Sequence, residues 1–328
     1  MTKKVMTDRT TNEGERIAKV IARAGLASRR QAEAWIAAGR VSVNGAVIAS
    51  PALNVTRRDR ITIDGAALPR RARTRLFLYH KPRGLMTTHA DPQGRDTIFR
   101  ALPKHLPRLI SVGRLDINTE GLLLLTNDGG LARVLELPAT GWLRRYRVRA
   151  LGRVTQERLD RLRQGVTIEG MRYGAIEATL DREQGANVWL TLAIREGKNR
   201  EVRKVLESLG LKVNRLIRVS YGPFDLGEIA DGAVAEIETE ELRKILGPEI
   251  AKQAEADFES PLEDEASPRH PEAREPRKTA GKVGTAARRG PREAQPPQRD
   301  GEKPRGGYIN RKKRRHDRSG GPRPSRPR

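Results

Sequence analysis

Ile17, Val20, Ile21 and Ala24 recur at steps of three and four residues, the spacing that lines one face of a helix, and Gly25 stands where that helix would end. A second helix is expected from Ser28, which forms a capping box with Gln31. Ala32, Trp35 and Ile36 give it an apolar stripe and Gly39 closes it. The period then changes. "VSVNGAVI" alternates apolar and polar positions around Asn44-Gly45, a two-residue hairpin signal, and "RITIDG" supplies another strand. Residues 15–65 therefore read as a small unit of two helices and a hairpin. A flexible stretch over 1–14 precedes it, and an arginine-rich linker over 66–74 follows.

From residue 75 the pattern belongs to a larger unit, expected to run to 247. "RLFLYHKP", "RLISVG", "LLLLT", "LRRYRVRAL", "YGAIEATLD", "NVWLTLAIRE" and "NRLIRVSYG" read as strands. "GLARVLEL", "TQERLDRLRQG" and "NREVRKVLESLG" read as helices. Runs of strands broken by single helices predict an α+β domain with a mixed, mainly antiparallel sheet and flanking helices, rather than a doubly wound one. Residues 248–328 are expected to be a disordered tail, strongly basic from Arg269.

Charge changes the picture. The segment from Arg269 to Arg328 has 20 Lys/Arg against 6 Asp/Glu, so it carries +14 of the chain's formal +24 and leaves +10 on the rest. A surface this positive attracts a polyanion through phosphate contacts and counterion release, which points to RNA or DNA. The chain of 328 residues contains no cysteine, which excludes disulfides, thiolate nucleophiles and Cys-ligated zinc. Its first residues, "MTKKVMTDRTTNEGER", have no apolar stretch, and no run approaches the roughly 20 apolar residues of a membrane span. The expectation is a cytoplasmic protein with no membrane partner.

One acidic residue stands out in "GRLDINTEGLLLLTNDG" at 113–129. Asp116 opens D-I-N-T-E-G, which imitates the first half of a calcium loop. The twelfth position is Asn127 where a bidentate Glu is needed, and a run of leucines would lie among the oxygen ligands. A turn between two strands is the plainest alternative. A nucleophile is the third, because Arg114 would favour an ionised carboxylate and a positioned carboxylate can attack. The five histidines have no metal-ligand spacing, and there is no HExxH, GxSxG or phosphate loop, so no metal site is expected.

The residues from Gly113 to Gly129 closely resemble the signature of the pseudouridine synthases of the RsuA/RluB type, G-R-L-D followed by T-x-G-L-L-L-L-T-N-D-G. "LYHKPRGLMTT" at 78–88 and "REGKNREVRKVLESLGLKVNRLIRVSYGP" at 195–223 are similar to two further family motifs. "RRYRV" at 144–148 matches K-x-Y-x-V with Arg144 in place of the usual lysine. Residues 15–65 resemble the S4 RNA-binding domain.

The resemblance implies isomerisation of a ribosomal-RNA uridine without a cofactor. Asp116 would be the nucleophile, attacking either C1′ of the ribose or C6 of the base; Tyr146 would stack on the extruded base, and Arg203 would pair with Asp116. RNA contacts are expected from Arg29, Arg30, Arg40, Lys81, Arg83, Arg114, Lys198, Arg200 and Lys204. The long basic tail beside an S4 domain looks more like the large-subunit (23S) than the small-subunit (16S) enzymes. The partner would then be ribosomal RNA or a pre-ribosomal particle, met by a monomer. The rivals are a non-catalytic RNA-binding protein on the same scaffold and a base-excising glycosidase.

Overall fold

In a computed structural model, residues 14–262 are described. The N-terminal unit begins with helices α1 (Ile17–Arg23) and α2 (Arg29–Ala37). Ser28 caps α2 in the expected box: its side chain accepts from the Gln31 N–H, and the Gln31 side chain accepts from the Ser28 N–H. Strands β1 (Val41–Val43) and β2 (Ala46–Val47) form the hairpin. Asn44 (φ 52°) and Gly45 (φ 83°) supply the left-handed pair that such a turn requires. β3 (Ile61–Ile63) pairs with β1, and β4 (Ala66–Ala67) pairs with β3. Ile17, Ile21, Ala32, Ile36, Val41 and Ile63 form a core of their own, with Leu68 packed against it. The unit therefore reaches Leu68, and the linker expected from 66 begins later. A two-residue edge strand of alanines has no alternation to mark it.

The larger unit is built on one sheet. Its strands are β5 (Leu76–Lys81), β6 (Glu120–Thr126), β7 (Arg144–Leu151), β8 (Ile176–Gln184), β9 (Asn187–Ile194), β10 (Lys212–Tyr221) and β11 (Val234–Ile237). In space they run β8-β9-β7-β10-β6-β5-β11, with short edge pieces Ile110–Ser111 on β6 and Phe224–Asp225 on β10. Every neighbouring pair is antiparallel except β6 with β10. That parallel pair registers Glu120 with Ile217 and Gly121 with Arg218, and it is the seam between two half-sheets. A Cβ at Gly121 (φ 100°) would collide with the Arg218 carbonyl oxygen, so glycine is required for the halves to meet.

Helices flank the sheet: α3 (Gly129–Glu136), α4 (Gln156–Asp160), α5 (Glu201–Ser208) and α6 (Thr239–Ala254). Val148, Leu190, Leu192, Leu159, Val205 and Leu206 make the core of one half. Leu76, Leu122, Leu124, Leu131, Leu135 and Leu242 make a core of the other. The α+β architecture with a mixed, mainly antiparallel sheet is the one expected. Among the described residues no helix is long and apolar enough to cross a membrane.

The boundary expected at 247 is corrected. Gly247 (φ 65°, ψ 173°) and Pro248 kink α6 without ending it, because a proline is tolerated in the first turn of the helical segment that restarts there. Ala254 is buried, Phe258 packs against the core, and the Thr74 N–H donates to the Asp257 carbonyl at 2.7 Å. The rest of the expected tail, and the expected flexible N-terminus through residue 13, lie outside the described residues. A chain ending at Leu246 is expected to be less stable than one ending at Leu262 by roughly 3 kcal/mol, from lost apolar burial and backbone hydrogen bonds. Urea melts of the two chains, showing equal midpoints, would refute this.

Candidate active site

Asp116 lies in the turn that leads into β6, where the Thr119 N–H donates to its carbonyl oxygen at 3.0 Å. The segment after β5 runs along this turn. The Gly84 N–H donates to Ile117 at 2.7 Å, and Thr87 Oγ1 donates to the buried Leu115 carbonyl at 2.8 Å. Lys81 fastens the two from inside, donating Nζ to the carbonyls of Pro82 (2.9 Å) and Thr119 (3.0 Å). Its exposure is 0%. Lys81 was expected among the RNA-contacting cations; it is an internal staple instead, because its strand is buried on both faces. Burial brings its pKa down to about 8, although the charges of Asp116 and Glu120 oppose that shift. Arg83 stays exposed, with Nε 3.4 Å from Asn118 Oδ1.

The other half-sheet supplies the opposite wall. Along β7 the side chains alternate, with Arg144, Tyr146, Val148 and Ala150 turned inward and Arg145, Arg147 and Arg149 exposed. Arg203, in the first turn of α5, donates Nη2 to the Asn118 carbonyl at 2.9 Å and Nη1 to Val213 at 3.3 Å. The expected Arg203–Asp116 ion pair is therefore absent. The guanidinium reaches beneath the turn and grips its backbone two residues beyond the carboxylate. Burial, then the neighbouring Arg200 charge, lowers the pKa of Arg203, while Asp116 raises it.

The cation that faces Asp116 is Arg200, with Nη1 4.0 Å from Oδ2. Arg114, expected to fill this role, is exposed and makes no ion pair among the described residues. The Arg200 and Asp116 side chains are 45% and 35% exposed, so the pair is worth about 0–1 kcal/mol and acts by orientation. Arg200 caps α5 with φ 52° and ψ 30°, a left-handed conformation that costs a side-chain-bearing residue roughly 1 kcal/mol. Glu201 holds this corner. Its buried carboxylate accepts from the Lys198 N–H at 2.9 Å, and burial raises its pKa.

Between the walls lies a cleft of ≈ 640 Å³ lined by Arg114, Asp116, Tyr146, Lys198, Arg200 and Arg203, with Arg144, Glu201, Arg218 and Tyr221 deeper in. Arg144 donates to Tyr221 Oη at 2.8 Å and to the Arg195 carbonyl. The Arg144 and Arg218 guanidinium carbons lie 4.7 Å and 5.0 Å from the Tyr221 ring centroid. Arg218 donates Nε to Leu122 at 2.7 Å, across the seam. Two buried donors in this cleft have no partner, Arg203 Nε and Arg218 Nη2. Buried N–H groups are seldom left unpaired, so these suit the oxygens of a bound ligand. The Asp116 carboxylate, the Tyr146 and Tyr221 rings and the converging guanidiniums suit a flat, oxygen-rich, anionic ligand.

Arg218, Tyr221 and Glu201 were not singled out from the sequence. The signal was present in "NRLIRVSYG", where Arg218 takes an inward position in an apolar alternation. Other expected contacts lie elsewhere. Lys204 is half-buried and off the cleft, and Arg29 and Arg30 are exposed at the start of α2. Arg40 is tied to Asp64, with Nε–Oδ1 at 2.9 Å, and lies 5.1 Å from the Trp35 ring.

A family profile described as RNA pseudouridylate synthase matches residues 75–208, and an S4 domain profile matches residues 15–61. A Rickettsia felis protein described as an uncharacterized RNA pseudouridine synthase is 45% identical over 230 residues, covering 70% of this chain and 100% of that one. The chain belongs to the RNA pseudouridine synthase family. A Pseudomonas aeruginosa protein named ribosomal large subunit pseudouridine synthase B is 41% identical over 316 residues, covering 88% of the synthase and 81% of its own length. A crystal structure titled as that of a pseudouridylate synthase superposes with a TM-score of 0.50 at 27% identity, over 70% of the synthase and 99% of that chain.

Lys81 gives the synthase a defined pH response. Below about pH 8 the lysine is charged in both folded and unfolded states, and its burial cost is fully present. Between about 8 and its ordinary value of 10.5 the folded state loses the proton first, so stability rises with pH across that window. Thermal melts from pH 7.5 to 10 are expected to show this rise relative to Lys81→Met, and parallel curves would refute it. Replacing Arg200 by Gly removes the left-handed cost and the partner of Asp116 together. Stability is expected to hold or to increase by up to about 1 kcal/mol, while turnover falls. Denaturant melts and single-turnover rates read the two effects, and normal turnover would count against Arg200 as the orienting group.

Proposed function

We propose that the synthase isomerises one uridine of ribosomal RNA, in the large subunit (23S), to pseudouridine with Asp116 as the nucleophile. The observation that carries this reading is Asp116 itself: a partly exposed carboxylate, held by a backbone-zipped turn and faced by Arg200, opening on the cleft that contains Tyr146. The large-subunit name of the Pseudomonas aeruginosa relative supports the choice of RNA. The partner is then that RNA or a pre-ribosomal particle, bound by a monomer.

The reaction breaks the N1–C1′ bond, turns the uracil within the site and joins C5 to C1′, with the C5 proton released. Atoms and electrons balance within the nucleoside, so no redox partner or group donor takes part. The carboxylate can form its covalent bond at C1′ or at C6, and both routes need the base out of its stack. Tyr146 lines the cleft and offers a ring for the extruded base to lie against, and the unpartnered Arg203 Nε and Arg218 Nη2 offer donors to uracil or phosphate oxygens, which supports this reading. Arg29, Arg30, Arg83, Arg114, Lys198 and Arg200 are exposed cations for the phosphate backbone.

Asp116→Asn keeps size and removes the nucleophile. Release of tritium from C5-labelled uridine in rRNA is expected to vanish, with RNA affinity changed little because phosphate contacts dominate it. Tyr146→Leu is expected to abolish the same release at a stability cost of about 1–3 kcal/mol or less. An active Asp116→Asn enzyme would overturn the mechanism. A Tyr146→Leu enzyme with normal turnover in its folded fraction would remove that residue from the site.

A further inference from the structure

The catalytic reading leaves the end of the Gly113–Gly129 signature unexplained. Thr126, Asn127 and Asp128 lie at the far end of β6 from Asp116, and each holds the chain that enters from the S4 domain. Thr126 Oγ1 donates to the Arg75 carbonyl at 2.6 Å. Asn127 accepts from the Arg75 N–H at 2.9 Å and donates to the Arg73 carbonyl at 2.8 Å. Asp128, 3% exposed, accepts from Thr74 Oγ1 at 2.8 Å and from Arg71 Nη2 at 2.5 Å, while its other oxygen caps α3.

A charge chain continues from there into the S4 domain. Arg71 also donates to the Glu255 carbonyl at 2.7 Å, at the end of α6. The Glu255 carboxylate meets Arg23 Nη1 at 2.7 Å, and the same nitrogen meets Glu15 at 2.6 Å. Arg23 stands in the last turn of α1, and Lys19 pairs with Glu15 beside it. The Arg23 side chain of the S4 domain lies close against α3, since a Cβ at Gly130 would come within 3.0 Å of Arg23 Nη2. Among the described residues no hydrophobic cluster spans the two domains: the S4 core ends at Leu68 and the other cores begin at Leu76. A solvent-open cavity of ≈ 1430 Å³ lies along the junction. Polar contacts therefore fix the orientation of the S4 domain.

We propose that Arg23, Arg71, Asp128 and Glu255 are positioning residues that clamp the S4 domain at a set orientation, so that RNA held on it presents one uridine, and not its neighbours, to Asp116. Strand β6 is the rigid link, with the nucleophile's turn at one end and the clamp at the other. A second site that is held in place raises the effective concentration of the target at the cleft, and a loose one gives up that gain. The inference rests on the RNA-modifying reading above only for its consequence in catalysis. The clamp itself is tested without RNA.

The chain has no cysteine, so Ala46→Cys in the S4 hairpin and Ala186→Cys in the β8–β9 turn accept a pair of spin labels and nothing else does. Pulsed dipolar spectroscopy at low salt is expected to show one narrow distance in the otherwise unaltered protein. It should broaden in Arg23→Glu and in Glu255→Lys, and stay narrow in Arg23→Lys, which keeps the cation between Glu15 and Glu255. A distribution as narrow in both charge-reversed variants would overturn the clamp, whatever the enzyme does with RNA. For catalysis, Arg23→Glu is expected to raise KM on rRNA long enough to reach both domains by roughly ten-fold, with kcat kept and pseudouridine appearing at neighbouring uridines. Turnover of a stem-loop that fills the cleft alone should not change. Equal losses on both substrates would mark a folding defect and overturn the positioning role. An unaltered enzyme inactive on both RNAs would overturn the RNA reading while the distance result stands.

Discussion

Two parallel backbone pairs, Glu120 with Ile217 and Gly121 with Arg218, form the seam between the half-sheets of the larger unit. Gly121 and Arg218 sit opposite each other where β6 runs parallel to β10, and no side chain larger than hydrogen fits at 121. Arg218 then crosses the seam to Leu122, and Arg215 crosses it again to Glu120 at 2.8 Å. Asp116 arrives from one side of this seam and Tyr146, Arg200 and Arg203 from the other. A catalytic group and its partners can be carried by separate half-sheets only if that junction is rigid, because productive geometry tolerates little displacement. The parallel pairing that interrupts an otherwise antiparallel sheet is what creates the cleft.

Electrostatics in the cleft follows from who is buried. Lys81 and Arg203 are both held by backbone carbonyls of the Asp116 turn, and burial disfavours the charge on each. They work as fasteners. Arg200 stays partly in water and faces the carboxylate at 4.0 Å. This division leaves Asp116 without a tight, bidentate partner, as the proposed nucleophilic role requires. The strained backbone at Arg200 fits the same division, since a residue kept in a left-handed conformation is held there by its surroundings, here by Glu201 and Lys198.

Much was legible in the chain. Periodicity located the two S4 helices, the Asn44-Gly45 hairpin and most strands of the sheet, because each of these is set by neighbours within a few residues. Gly247-Pro248 misled for a related reason. The pair locally resembles a stop, and only the packing of Ala254 and Phe258 shows that the helix resumes. Lys81 misled because a lysine beside a turn looks solvent-facing until both faces of its strand are covered.

By itself the sequence determined the fold class, the cationic character and the exclusion of thiol chemistry, all properties of local pattern or composition, and its motifs singled out Asp116 as the candidate carboxylate. Only the tertiary structure decided which cation faces Asp116, that Arg203 grips a backbone carbonyl, that Arg218 and Tyr221 line the cleft, and that Thr126 to Asp128 hold the chain that leaves the S4 domain. Those contacts join residues as far apart as Arg23 and Glu255, across a seam and a domain junction. Periodicity over a few residues carries no information on such pairs, because they are fixed by how finished elements pack.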